Sequence, residues 1–176
     1  MHGHTDIDGR IAQGWGGAKP NGVHVNVILA RRGSPTAAAI TTAFTSPSPG
    51  FTPVVVCTGV DQPSYETVNP PTILLSKVAP ATERAETLIF GAAQVGTARG
   101  ILDAVADGLL EASQETVVLV SLWVDPEAAD EPAVLDSARQ AVRAAVTEAV
   151  TGRSPADAQR LVESRDSLTH PFYGGS

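Results

Sequence analysis

Residues 22–30 read Gly22-Val23-His24-Val25-Asn26-Val27-Ile28-Leu29-Ala30, and the reading of this stretch decides the fold. Side chains of a strand alternate between its faces with a period of two. Val23, Val25, Val27 and Leu29 therefore share one apolar face. His24, Asn26, Ile28 and Ala30 share the other, with His24 and Asn26 one pleat apart. After a turn at residues 31–33, Ser34-Pro35 is a helix start, with Ser as N-cap and Pro as first helical residue. An Ala-rich helix follows to about Phe44, and Ser46-Pro47-Ser48-Pro49-Gly50 stops it.

Working outward, Pro53-Val54-Val55-Val56-Cys57 reads as a short buried strand and residues 59–71 as a loop with three prolines. Residues 72–78 form another strand, on which Lys77 shares a face with Ile73 and Leu75. A long helix is expected over residues 82–110, weakened at Gly96 and Gly100. Residues 116–124 are a strongly apolar strand with Trp123 near its end, closed by Asp125-Pro126. Residues 131–151 place Leu135, Ala138, Val142, Ala145 and Ala149 on one helical face, with Gly152 as the stop. Ser154-Pro155 starts a last short helix ending near Arg165. Residues 1–21, Gly-rich and polar around Trp15, read as an N-terminal arm, and residues 22–176 as one domain. The expected architecture is α+β, with helices packed on one side of a mixed sheet.

Composition narrows the function. Hydrophobic residues make up 43% and aromatics only 5%, so the core is built from Ala, Val, Leu and Ile. The net charge of −7 repels phosphate backbones, and Arg31-Arg32 is too small a cluster to reverse this; nucleic acid is excluded as a partner. The single cysteine, Cys57, rules out an intrachain disulfide framework. Residues 1–18 lack the apolar core of a signal peptide, and no stretch approaches the ~20 apolar residues that span a bilayer. The expectation is a cytoplasmic protein without a membrane partner.

Several segments, in order, resemble the formaldehyde-activating enzyme family. They are Val23-His24-Val25-Asn26-Val27-Ile28-Leu29 followed by Arg32-Gly33-Ser34-Pro35; Gly50-Phe51-Thr52; Lys77-Val78; Phe90-Gly91-Ala92-Ala93-Gln94; and His170-Pro171-Phe172. They run from about residue 22 to 172, with a short insertion between Thr58 and Pro71. The resemblance implies a fold like that of ribosomal protein S5 domain 2 and a homopentamer with sites between neighbours. It also implies condensation of formaldehyde with a tetrahydropterin, usually tetrahydromethanopterin, with loss of water. The tetrahydropterin would be a small-molecule co-substrate; no tightly bound cofactor and no metal is implied.

This chemistry needs a group that works as both acid and base. An amine adds to formaldehyde, the carbinolamine hydroxyl must be protonated to leave as water, and a second amine closes the ring and loses a proton. Histidine, with an unperturbed pKa near ~6.5, serves both steps. On pattern alone His24 reads as a structural strand histidine; the resemblance makes it the catalytic group. Asn26 stands where the family has an aspartate, and asparagine can hydrogen-bond a ligand but cannot accept its proton. Lys77 matches a lysine of the ligand site, or is a strand-end residue with its stem on apolar neighbours. Gln94 matches a pterin-contacting glutamine, or is a solvated helix position. Val55 matches an apolar ligand contact, or packs in the core. Ala79 replaces a hydroxyl residue two positions after the lysine. Cys57 reads as a small buried hydrophobe and His170 as a packing residue in the tail. His2 and His4 are too few to make a metal site. Three other readings stay open: the same fold recruited to another dehydration or condensation, a non-catalytic binder of a pterin or aldehyde adduct, and a purely structural ring protein.

Overall fold

The computed structural model describes residues 6–174. Its main sheet has five strands, β1 (Ile11–Gly16), β2 (Val23–Arg31), β3 (Val54–Val55), β6 (Thr72–Ser76) and β7 (Thr116–Val124). Their order is β1-β2-β7-β6-β3, antiparallel throughout except for the parallel β6–β7 pair, so the sheet is mixed. Two short strands pair separately: β4 (Cys57–Thr58), at the end of the expected strand, and β5 (Glu66–Thr67), inside the segment expected to be a plain loop. The strand expected over residues 53–57 is thus split between the two sheets.

The alternation in β2 holds residue by residue. Val23, Val25, Val27 and Leu29 are wholly buried, together with Val118, Val120 and Leu122 of β7 and Leu74 of β6. Each fully buried Val or Leu contributes about 1.5–3 kcal/mol of transfer free energy. They are covered by α4 (Glu131–Thr151) and by one helical run made of α2 (Glu83–Thr87), a π-helical turn (Leu88–Ala92) and α3 (Ala93–Ala106). This run, Glu83–Ala106, is long and apolar enough to cross a membrane by length and composition, but 56% of its apolar window is buried within the fold, as in a core helix. Arg139 of α4 grips Asp103 of α3 with both arms of its guanidinium, at 2.6 and 2.7 Å, and these hydrogen bonds hold the Asp103 carboxyl below the usual range. Gly152, at φ 74°, ends α4 before α5 (Pro155–Glu163).

Two expectations need correction. The helices are not all on one side: α1 (Pro35–Thr45) lies on the opposite face, where Ala37 and Ile40 pack with Ala30, Ile28, Ile73, Val117 and Leu119. Residues 11–16, expected as part of an irregular arm, are the edge strand β1, paired along its whole length with β2. The glycines that suggested a loop are the reason a strand fits there. A Cβ on Gly14 would lie 2.1 Å from the Ala141 carbonyl oxygen, and one on Gly16 would lie 1.9 Å from that of Ser137. Without side chains at these inward positions, β1 settles directly on the backbone of α4.

Candidate functional site

The sheet face carrying α1 is covered at one end only. At the other end the pairing register lays two rows of side chains side by side. Trp15, His24 and Trp123 are consecutive cross-strand partners on β1, β2 and β7. Gln13, Asn26 and Ser121 form the next row. Just past β6, the Lys77 N–H donates to the Leu122 carbonyl at 2.8 Å, which continues the first row beyond Trp123.

His24 is bound at both ring nitrogens. Lys77 Nζ donates to Nδ1 at 2.5 Å, and Nε2 lies 3.0 Å from the Gln13 side-chain oxygen. An amide oxygen only accepts, so Nε2 carries the proton and Nδ1 presents its lone pair to the lysine. Burial and the nearby positive charges favour the neutral imidazole. Partial burial pushes its pKa below 6.5, and the positive charges of Lys77 and, from the C-terminal tail, His170 push the same way. Burial also lowers the pKa of Lys77. Trp15 and Trp123 flank His24 in this row, with ring centroids 6.2 Å apart; the Trp15 indole N–H is held by the Gly17 carbonyl at 2.8 Å.

The structure brings together some of the residues singled out from sequence and separates others. His24 and Lys77 touch, although 53 positions apart. Asn26 is exposed on the same face, one pleat away. Val55 also faces this side, opposite Ile73 on the sheet edge, and is 37% exposed rather than core. Ala79 lies exposed in the loop after Lys77 and helps line a cavity of about 220 Å³ with Val78, Leu88, Ile89 and Asp125. Gln94 is neither solvated nor beside His24: its Oε1 accepts from the Cys57 N–H at 3.0 Å, and its Nε2 donates to the Phe90 carbonyl in the π-helical turn at 2.6 Å. Cys57 is partly exposed and His170 fully so. His2 and His4 lie outside the described residues. A larger groove, of about 570 Å³ between α4 and α5, contains none of these groups.

Sequence reasoning missed Gln13, Trp15 and Trp123 as site residues. The usable signal was the alternation Gln13-Gly14-Trp15-Gly16, in which every second residue is glycine. Gln13→Leu removes the acceptor that fixes the His24 tautomer. The expected loss is about 1 kcal/mol, roughly fivefold in turnover with KM little changed, measured by steady-state kinetics.

The sequence profile of the formaldehyde-activating enzyme family matches residues 14–173, nearly the whole chain. The chain belongs to the formaldehyde-activating enzyme family. It is therefore an enzyme of the hydro-lyase type. It is 28% identical to a 5,6,7,8-tetrahydromethanopterin hydro-lyase of Methanosarcina barkeri over 89% of this chain and 85% of that protein. It is 27% identical to a bifunctional enzyme Fae/Hps of Methanothrix thermoacetophila and 29% identical to one of Archaeoglobus fulgidus. The matches cover 90% and 86% of this chain but only 39% and 37% of those longer proteins. Family membership and the match from residue 14 fit the position of β1 inside the fold, with Trp15 within the matched region.

Proposed function

We propose that this chain condenses formaldehyde, or a closely related aldehyde, with the amines of a tetrahydropterin, releasing water and leaving a methylene bridge. His24 is the acid–base group. The observation that carries the reading is the short His24–Lys77 contact on an open sheet face, within a chain of the formaldehyde-activating enzyme family. The neutral Nδ1 can take a proton from an adding amine and return it to the leaving hydroxyl, so that one ring serves both halves of the dehydration. Lys77 and Asn26 orient the aldehyde oxygen and the pterin edge. Trp15 and Trp123 supply flat apolar walls of the kind a pterin ring stacks against. Val55, Ala79 and Gln94 are assigned to the remainder of the ligand site.

The assembly we infer is a cytoplasmic homopentamer of subunits with the fold of ribosomal protein S5 domain 2, with each site completed by a neighbour. The half-bare sheet face supports an assembled state: Ile11, Trp15 and Val55 are 70%, 47% and 37% exposed on it.

A second reading has its own support. Asn26 leaves this face without a carboxylate where the family has an aspartate, and Ala79 offers no hydroxyl. Both fit a site retuned for a different aldehyde or amine. The test is formation of methylene-tetrahydromethanopterin from formaldehyde, above the spontaneous rate, by wild type and by Asn26→Asp. Acceleration by wild type is expected, with a further gain in Asn26→Asp as the carboxylate favours the imidazolium of His24. A wild type that does not accelerate the reaction, beside an Asn26→Asp variant that does, would establish the retuned site instead.

A further inference from the structure

The lysine in this site is in an unusual position for a binding residue. Among the described residues, every ion pair formed with a carboxylate uses an arginine, and none uses Lys77. Its Nζ lies 2.5 Å from Nδ1 of His24. Its backbone is tied to β7 through the Leu122 carbonyl, and its side chain is partly buried. The neighbouring polar side chains on the face, Asn26, Gln13 and Ser121, are all uncharged. Burial disfavours the charge on this nitrogen. What the pocket sets against it is a proton acceptor, which is the arrangement of a nucleophile and its base.

We infer that Lys77 takes up the aldehyde carbon covalently, as an iminium, and hands it to the acceptor amine. The inference rests on the reading of the site as one that handles an aldehyde. In the first half, Lys77 Nζ adds to the carbonyl carbon: a C–N bond forms, the C=O π bond breaks, and the oxygen takes a proton from solvent, which the ring-closing nitrogen returns at the end of the second half. Nδ1 of His24 removes the proton that the nitrogen sheds. The imidazolium then returns that proton to the carbinolamine hydroxyl, the C–O bond breaks, and water leaves an iminium on Lys77. In the second half, an acceptor amine adds to the iminium carbon and gives a proton to His24. His24 passes it to Lys77 Nζ, and the C–N bond to the lysine breaks. A second acceptor nitrogen closes on the carbon and loses its own proton. The sum is one aldehyde and two N–H bonds converted to an N–C–N bridge and one water, with no oxidant or reductant required. The covalent stage keeps a small, diffusible aldehyde in the site until the acceptor arrives.

The chain has only two lysines, Lys19 and Lys77, and Lys19 is exposed, so it serves as an internal control. The intact protein is incubated with dilute formaldehyde and cyanoborohydride near neutrality, which reduces an iminium to a methylamine, and the methylated lysines are quantified by peptide mass spectrometry. Methylation of Lys77 is expected roughly a hundredfold faster than that of Lys19, the lower end of what a positioned base contributes. His24→Gln should remove most of that advantage while leaving the Lys19 rate as it was. Methylation of Lys77 no faster than of Lys19 in the wild type overturns the covalent step, and this comparison needs no variant to fold. The same preparation is assayed for methylene-tetrahydromethanopterin formation. Acceleration without preferential methylation of Lys77 would leave the proposed function standing and remove the iminium. Fast methylation without acceleration would support the iminium and remove the tetrahydropterin as acceptor.

Discussion

Replacing His24 with alanine should lower the enzymatic acceleration of the formaldehyde–tetrahydropterin condensation by about 10²–10⁴-fold, the range spanned by a positioned general acid–base group. The loss should fall on kcat. The aromatic walls and Asn26, which engage the ligand whether or not a proton moves, remain in place. The pH profile carries a second signature. Burial first, then Lys77 and His170, hold the His24 pKa below 6.5. The acid limb of kcat/KM, reporting loss of the neutral base, should therefore have its midpoint below 6.5. Lys77→Gln removes one of the two positive neighbours and should move the His24 titration, followed by NMR, upward. The same sign applies to stability. The unfolded chain protonates this histidine at a higher pH than the folded one, so the contribution is intact above 6.5 and is lost as pH falls toward the folded value. A His24 titration unmoved by Lys77→Gln would sink the electrostatic account, and a His24→Ala variant with wild-type kcat would sink the acid–base assignment.

The largest effect on stability is expected from a residue with no side chain. A Cβ at Gly16 would sit 1.9 Å from the Ser137 carbonyl oxygen and 2.8 Å from its carbon, and both belong to the backbone of α4. No rotamer change relieves such a clash; either strand β1 lifts or helix α4 shifts. Gly16→Ala should cost about 3 kcal/mol, the upper end for overpacking. In a domain of this size that is a fall in Tm of about 6–12 °C by thermal denaturation. Gly91→Ala is the matched control, because a Cβ there meets nothing within 4 Å. Lifting β1 also carries Gln13 and Trp15 away from His24, so Gly16→Ala should lose turnover while still folded. A Tm within about 1 °C of wild type would show that β1 is not seated on α4 as described.

The two predictions depend on different levels of organisation. That His24 and Asn26 share a face was legible in residues 22–30, because alternation is a property of the local backbone. So was the facing of Lys77 with Ile73 and Leu75. The helix starts at Ser34-Pro35 and Ser154-Pro155 were legible too: both serines cap with their side chains, accepting from the N–H groups of Ala37 and Asp157. The bounds of α4 followed from its apolar spacing and from Gly152. The family blocks named the histidine and the lysine, but could not say that they touch.

What pattern could not reach was everything set by register and by contact over distance. Gly14-Trp15-Gly16-Gly17 looks like a loop to any local rule, since glycine weakens a strand by itself. It becomes a strand because a helix 120 and more positions later comes so close that only glycine fits beneath it. Gln94 reads locally as a helix position turned to water or ligand, yet the unpaired N–H of Cys57 takes its side-chain oxygen. By itself the sequence determined the long strands at residues 22–30 and 116–124, their faces and the helix starts, because backbone alternation, capping and helical spacing act within a few residues. Only the tertiary structure decided that Lys77 reaches His24 past Trp123, that Gln13 bonds the other ring nitrogen, and that Trp15 and Trp123 flank the histidine. Those contacts depend on the pairing of β1, β2, β7 and β6, whose register is selected by burying one continuous apolar face under α3 and α4.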